Sequence, residues 1–151
     1  MITLLISLIS ISQAKDLHYK YEWETSPTIQ ICPDATIDKQ DVEDAISYWE
    51  SEGVDTSFLG EITTVSYCNL DALNVIQITG DIDIRPDEYG ATLVKWYRYS
   101  KNKNSTLYVH RATVQIPENA KEKVVLHEIG HSLGLGHDSH HNVMRVYPYG
   151  Y

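Results

Sequence analysis

The stretch "HEIGHSLGLGHD", residues 127–138, holds three histidines and one glutamate. If it forms an α-helix, His127 and His131 lie on the same face one turn apart, because residues four apart are neighbours on a helix. Two imidazoles placed in this way can bind one metal ion, and neutral imidazole is a common ligand of zinc. The spacing therefore predicts a helix that carries two ligands of one metal ion.

A glycine explains the position of the third histidine. Gly134 follows His131 by three residues, and glycine readily adopts the left-handed conformation that ends a helix. The resulting turn would bring His137 back towards the same metal ion, whereas a continued helix would carry it away. Three protein ligands and one water are the usual arrangement of catalytic zinc.

Glu128 is the candidate general base. It lies about 100° around the helix from His127, so it is too offset to be the obvious third ligand. It can instead hydrogen-bond a metal-bound water and take its proton while that water attacks a carbonyl carbon.

These positions match a known zinc signature. His127, Glu128, His131, Gly134 and His137 fill every fixed position of H-E-x-x-H-x-x-G-x-x-H. The segment therefore resembles the metzincin zinc metallopeptidases. The resemblance implies one catalytic Zn²⁺ ion held by the three histidines, with Glu128 as the base.

Two features make the segment most similar to the matrixin (matrix metalloproteinase-like) branch. Met144 follows His137 by seven residues, at the position of the family's methionine turn, and "ATVQIP" (residues 112–117) precedes the helix. The resemblance implies that Met144 forms a hydrophobic floor beneath the metal. It also implies an extracellular endopeptidase that acts on proteins or peptides.

The resemblance also suggests where the substrate binds. In this family the substrate lies extended along an edge strand, held by main-chain hydrogen bonds, and "ATLVKWYRYS" (residues 91–100) is the best candidate for that strand. Similar segments in matrixins form the wall of the pocket for the residue after the scissile bond. Tyr147, Pro148 and Tyr149 are the candidates here.

The sequence departs from the family's usual pattern at both ends. We expect no latency prodomain with a cysteine switch, and we expect the usual C-terminal helix to be missing after Met144, because Pro148 and Gly150 disfavour one. The short C-terminus leaves an alternative function open. The chain could be a non-catalytic, zinc-stabilised binding protein with a metzincin-like fold, although a purely structural site has no use for Glu128.

Length and charge indicate one secreted domain. A chain of 151 residues has room for one domain with a core, and its net charge of −9 disfavours nucleic acid as a partner. Residues 1–14 resemble a signal peptide, with an apolar run too short to span a bilayer and a small-x-small cleavage site. A buried N-terminal strand is the alternative. We expect residues 15–151 to form a single, secreted or periplasmic, monomeric metallopeptidase domain with no stable membrane insertion.

The two cysteines agree with export. In an oxidising compartment Cys32 and Cys68 would form a disulfide. Two free buried thiols are the alternative.

Periodicity along the chain predicts a mixed α/β (α+β) fold. We expect a twisted, mostly parallel sheet of about five strands with an antiparallel edge strand, a crossover helix and an active-site helix. The predicted strands are residues 28–32, 61–67, 74–79, 91–100 and 105–116. The first helix is predicted over residues 38–52, with Asp38 as N-cap and Gly53 after its end. The second helix is predicted from a capping box of Asn119 and Glu122 to Leu133.

The remaining polar residues have less specific interpretations. We expect Asp138 to hydrogen-bond the backbone of the methionine turn. His140 and His141 are interpreted as part of a solvated loop, with a position near the cleft and an effect on pH dependence as the alternative. The acidic segment after residue 80 is interpreted as an exposed loop, with a Ca²⁺ site as the alternative. Its carboxylates are Asp81, Asp83, Asp87 and Glu88.

Overall fold

The computed structural model describes residues 17–80, 90–101, 104–138 and 140–146. Within these ranges the chain forms six strands and two helices. They are β1 (Glu22–Trp23), β2 (Thr28–Ile31), α1 (Lys39–Ser51), β3 (Ile62–Thr64), β4 (Val75–Thr79), β5 (Ala91–Lys101), β6 (Asn104–Gln115) and α2 (Glu122–Ser132). None of the helices in these ranges has the length and apolar character needed to cross a membrane.

All six strands belong to one sheet, in which β6 pairs with three other strands. On one side β6 pairs with the antiparallel strand β5, and it also pairs in parallel with β1 and β4. Beyond β4 come β2 and β3, both parallel to their neighbours. The predicted fold class is therefore confirmed: a mostly parallel sheet with an antiparallel strand at its edge. The additional strand is β1, whose two residues are too short to show periodicity.

The core lies between one face of the sheet and the two helices. Successive side chains of a strand point to opposite faces, so alternate residues of β2, β4 and β6 meet the helices. The strand residues in this core include Ile29, Ile31, Ile76, Ile78, Ala112 and Val114, and the helices contribute Val42, Ala45, Trp49, Val125 and Ile129. The indole Nε1 of Trp49 donates to the carbonyl oxygen of Leu126 at 2.9 Å, which ties α1 to α2.

The ends of α1 follow the prediction. The Asp38 carboxylate accepts from the backbone N–H of Asp41, and the Asp41 carboxylate accepts from the backbone N–H of Asp38, which forms a capping box. At the other end Glu52 is the C-cap, and Gly53 follows with a positive φ of 95°.

The predicted start of α2 is wrong. The N-cap is Lys121 without a side-chain cap, and Asn119 lies in a turn before the helix with a φ of +62°. Asparagine tolerates this left-handed conformation better than most residues, so the turn after Pro117 uses Asn119 instead of the helix. The predicted second strand is also too long, because only Ile62–Thr64 of residues 61–67 pair with β2.

The predicted disulfide is confirmed. Cys32 follows β2, Cys68 follows β3, and their Cα atoms lie 5.5 Å apart, within the range that a disulfide can bridge. The bond therefore joins the segments that follow β2 and β3, two parallel neighbouring strands connected by α1.

Candidate metal centre

The three histidines of residues 127–138 meet at one point. His127 and His131 project from α2, and their Nε2 atoms lie 3.0 Å apart. The Nε2 atom of His137 lies 3.2 Å from that of His131. Among the described residues, these three histidines are the group of side chains whose ligand atoms lie close enough together to hold a metal ion.

The hydrogen bonds of two rings show that their Nε2 atoms carry lone pairs. Nδ1 of His127 lies 2.7 Å from the carbonyl oxygen of Val143, and Nδ1 of His131 lies 2.8 Å from that of Leu135. Because a carbonyl oxygen only accepts, each Nδ1 carries the proton of the neutral ring, which leaves Nε2 unprotonated. Two lone pairs 3.0 Å apart repel each other unless a cation lies between them. The donor set therefore fits a zinc ion, and the carbonyl partners orient two of the rings.

Burial keeps these rings neutral. It lowers the pKa of His131 to about 4, with smaller contributions from His127 and His137. Burial also lowers the pKa values of His127 and of the more exposed His137. Neutral imidazoles are the form that binds metal ions.

The predicted glycine turn holds the third histidine. Gly134 follows the C-cap of α2 with a φ of +104°, and a Cβ atom added there would lie 2.6 Å from the carbonyl oxygen of Tyr21. The close neighbour is part of residues 18–23, which we call the strap. Its main chain pairs with the turn: Lys20 N–H donates to Gly134 O, and Gly136 N–H donates to His18 O, both at 2.8 Å.

Side chains of the strap also complete the end of α2. The last carbonyl groups of a helix have no partner inside it. The Tyr21 hydroxyl donates to the carbonyl oxygen of His131, and the Trp23 indole donates to that of Ser132 at 2.9 Å. Burial and the nearby Glu128 carboxylate raise the pKa of Tyr21, so its hydroxyl stays protonated. No local motif of the sequence indicated these contacts.

Met144 packs closely against α2. Only 1% of its surface is exposed. A Cβ atom added to Gly130 would lie 2.8 Å from the Met144 sulfur and 2.6 Å from the Trp49 ring. The absence of a side chain at Gly130 therefore lets the methionine and Trp49 approach the helix between its two histidines.

Glu128 is buried beside the edge strand. The Thr92 hydroxyl of β5 lies 2.7 Å from Oε2 of the Glu128 carboxylate and 2.9 Å from its main-chain carbonyl oxygen. Thr92 thus restricts the orientation of the carboxylate. Sequence reasoning did not single out Thr92, since only the packing of β5 on α2 brings it to Glu128.

A cavity of about 420 Å³ adjoins two of the three histidines. It lies between β5, the strap and the glycine turn. Its wall contains His131, His137, Lys20, Tyr21, Thr92, Val94, Trp96, Leu107, Leu135 and Gly136. No strand within the described ranges pairs with the outer edge of β5, which is the strand expected to bind the substrate.

The interpretation of His141 as part of a solvated loop is wrong. Its ring is buried, its Nε2 lies 3.1 Å from a carboxylate oxygen of Glu52, and its Nδ1 accepts from the N–H groups of Val143 and Met144. His140 is exposed, as expected. His141 follows His137 by four residues and precedes Met144 by three, and the polar sequence between them does not indicate that one histidine of the pair turns inward.

Asp138 contacts the methionine turn through its main chain. Its N–H donates to the carbonyl oxygen of Met144 at 2.9 Å, while its carboxylate accepts from the N–H of His140 at 2.8 Å. The predicted link to the turn therefore exists, but the side chain organises the preceding loop instead.

Several predicted features lie outside the described residues. They are the signal peptide over residues 1–14, the acidic segment with Asp81, Asp83, Asp87 and Glu88, and the pocket residues Tyr147, Pro148 and Tyr149.

Comparison with known proteins identifies the family. A family model described as "Metallo-peptidase family M12B Reprolysin-like" matches residues 35–138, which is more than half of the chain and includes all three histidines and Glu128. No curated protein and no solved structure matches the chain. The match supports a metzincin-like zinc metallopeptidase but does not confirm the matrixin branch. The chain belongs to the reprolysin-like metallopeptidases of family M12B.

Proposed function

We propose that this protein is a secreted, zinc-dependent endopeptidase in which Glu128 activates the attacking water. One observation carries the proposal. Three imidazoles meet at 3.0 and 3.2 Å, two of them with unprotonated Nε2 atoms, beside a buried carboxylate that an edge strand orients. A purely structural metal site would not need this carboxylate, and burying a charge is costly unless it is paired or hydrogen-bonded.

His127, His131 and His137 would hold the zinc ion. When bound, zinc supplies Lewis-acid chemistry, which polarises a carbonyl group and makes water more acidic. The protein's own contribution is to fix the ligands. The carbonyl groups of Val143 and Leu135 orient two rings, and the turn at Gly134 positions the third.

Glu128 would transfer the proton. Its carboxylate accepts a proton from the water that attacks the scissile carbonyl carbon, and later gives it to the amide nitrogen that leaves. Thr92 keeps Oε2 in a fixed orientation through the 2.7 Å contact. Because the neighbouring Tyr21 remains protonated, it does not compete for that proton.

The substrate would lie along β5. The outer edge of an antiparallel strand offers main-chain N–H and C=O groups to an extended peptide. The cavity beside His131 and His137 would receive one substrate side chain, and its wall combines apolar residues such as Trp96 with the cation of Lys20.

Replacing Glu128 with glutamine tests the mechanism. Glutamine keeps the size of the side chain and an acceptor for Thr92 but cannot take a proton. We expect Glu128→Gln to keep one zinc per chain and the parental thermal stability, and to lose at least ~100-fold in kcat for peptide hydrolysis. The measurements are metal content, thermal unfolding and cleavage of a fluorogenic peptide library.

Glu122→Gln is the matched control, because Glu122 is an exposed glutamate in the first turn of the same helix. It should cleave as the parent does. If Glu128→Gln also cleaves at the parental rate, Glu128 is not the base. If the zinc-loaded parent cleaves no peptide at all, the chain is instead a non-catalytic, zinc-stabilised binding protein.

The Cys32–Cys68 disulfide supports secretion, because disulfides persist in oxidising compartments. The signal peptide, the monomeric state, calcium binding and the matrixin branch stay predictions.

A further inference from the structure

We propose that His141, oriented by Glu52, is a positioning residue that fixes the methionine turn and, through it, the metal ligand His127. By the methionine turn we mean residues 141–144. The proposal rests on the proposed function only in taking zinc as the metal ion.

A continuous series of hydrogen bonds joins α1 to the metal centre. Glu52, the C-cap of α1, lies 3.1 Å from Nε2 of His141, whose Nδ1 accepts from the N–H groups of Val143 and Met144 at 3.2 Å each. The carbonyl oxygen of Val143 in turn accepts from Nδ1 of His127 at 2.7 Å. Val143 thus binds His141 through its N–H and the ligand through its carbonyl group.

These bonds define the tautomer of His141. Because Nδ1 accepts from two backbone N–H groups, it has no proton, and the ring proton lies on Nε2 and points to the Glu52 carboxylate. Without Glu52 the ring could rotate or change tautomer, and it would then present an N–H to two other N–H groups. Glu52 therefore selects the ring state that can hold the turn.

The surroundings leave this pair little freedom. The side chains of His141 and Glu52 are 5% and 16% exposed. The His141 ring lies 5.2 Å from the ring of Trp49, which also donates to Leu126 of α2 and lies close to Gly130. A buried polar pair adds little net stability compared with apolar packing. Its geometry therefore points to a role in orientation.

Zinc affinity of the full chain tests this role. His141→Ala removes both contacts, and we expect its zinc Kd to rise by ~10-fold or more, as is usual when partners of metal ligands are lost. His141→Asn places its Oδ1 near the position of Nδ1, so it can still accept from the turn and should recover most of the affinity. Glu52→Ala should raise the zinc Kd by a smaller factor than His141→Ala does. A chelator competition gives each Kd.

A spectroscopic measurement separates positioning from general destabilisation. Cobalt(II) in place of zinc absorbs visible light, and its spectrum depends on ligand geometry. We expect the spectrum to change in His141→Ala and to return towards that of the parent in His141→Asn.

Val54→Ala is the control, because Val54 is a buried residue that follows α1 and whose N–H donates to the carbonyl oxygen of Trp49. It should lower the melting temperature and leave both the zinc Kd and the cobalt spectrum of the folded protein unchanged. The proposal is wrong if His141→Ala keeps the parental Kd and spectrum, or if Val54→Ala changes them equally. If the parent protein has no peptidase activity, the proposed function is wrong, but these measurements of zinc affinity and of the cobalt spectrum still test the role of His141.

Discussion

Two parts of the candidate metal centre are held in different ways. His127 and His131 lie on α2, where the helical repeat alone puts them on one face, and neighbouring carbonyl groups orient their rings. His137 lies beyond the helix, on a turn that pairs with the strap. The Tyr21 contact with the end of α2 joins residues separated by 110 positions in the chain.

This difference shows how local and distant contacts share the work of building one site. A helix fixes the relative positions of two ligands at little cost, because its own hydrogen bonds form it. The turn outside the helix is held by local and distant donors together: the N–H groups of Gly134 and Leu135 donate to carbonyl groups at the end of α2, and strap side chains add donors to those of His131 and Ser132. We therefore expect changes at the turn and the strap to affect His137 more than the helix.

The largest effect should come from adding a methyl group to the turn. In Gly134→Ala the left-handed conformation costs about 1 kcal/mol, and the new Cβ would overlap the carbonyl oxygen of Tyr21, 2.6 Å away. With overpacking included, we expect a loss of about 3 kcal/mol in the free energy of unfolding and much weaker zinc binding. Urea unfolding and chelator competition measure the two effects.

Gly53→Ala is the matched control for this variant. Gly53 has a similar φ of +95°, but a Cβ atom there would meet nothing within 4 Å. Gly53→Ala should lose only about 1 kcal/mol in the free energy of unfolding. Equal losses in the two variants would mean that the strap does not constrain the turn.

Lowering the pH should destabilise the metal-free protein mainly through the histidines on α2. In the metal-free protein burial lowers the pKa of His131 from its ordinary value of 6.5 to about 4. Between these values the unfolded state binds a proton that the folded state does not, so stability falls as the pH is lowered. We expect the metal-free protein to lose about 1.5 kcal/mol of unfolding free energy between pH 6.5 and pH 5 from this group.

Urea unfolding in the presence of a chelator, at a series of pH values, measures this dependence. His131→Gln should remove most of it, and His137→Gln should remove less because that ring is more exposed. An unchanged pH dependence in His131→Gln would show that other groups are responsible.

The smallest effect should come from one hydroxyl of the strap. Tyr21→Phe removes the donor to the carbonyl oxygen of His131 and should cost about 1 kcal/mol of unfolding free energy. Tyr67→Phe is the control, because Tyr67 is 75% exposed and should change nothing measurable. Equal melting temperatures for the two variants would argue against a stabilising strap.

Much of the fold followed from periodicity. The strands β2, β4, β5 and β6 and the capped helix α1 lie nearly at their predicted bounds, because their patterns and caps are local, whereas β3 is shorter than predicted. The errors have physical causes. Asn119 suits both a helix cap and a left-handed turn, and only the path of the chain after Pro117 selects the turn. The two residues of β1 carry no period of their own.

The residues of the candidate site also fall into those that the sequence could predict and those that it could not. The ligand spacing, the glycine stop and the position of Met144 could be predicted, because each depends on helix geometry or on a family motif. Thr92, Tyr21 and His141 could not, because each reaches the site from another part of the fold or by turning inward from a polar segment. No residue type near them in the sequence indicates such a partner.

The sequence by itself determined that His127 and His131 share a helix face, that Gly134 ends the helix, and that His137 can return. These properties depend on backbone conformation over a few residues. Only the tertiary structure decided what holds these ligands in place: the strap on the turn, Thr92 against Glu128, and the Glu52–His141 pair beneath the methionine turn. Buried polar groups need partners, and the identity of those partners depends on which distant segments the fold brings together.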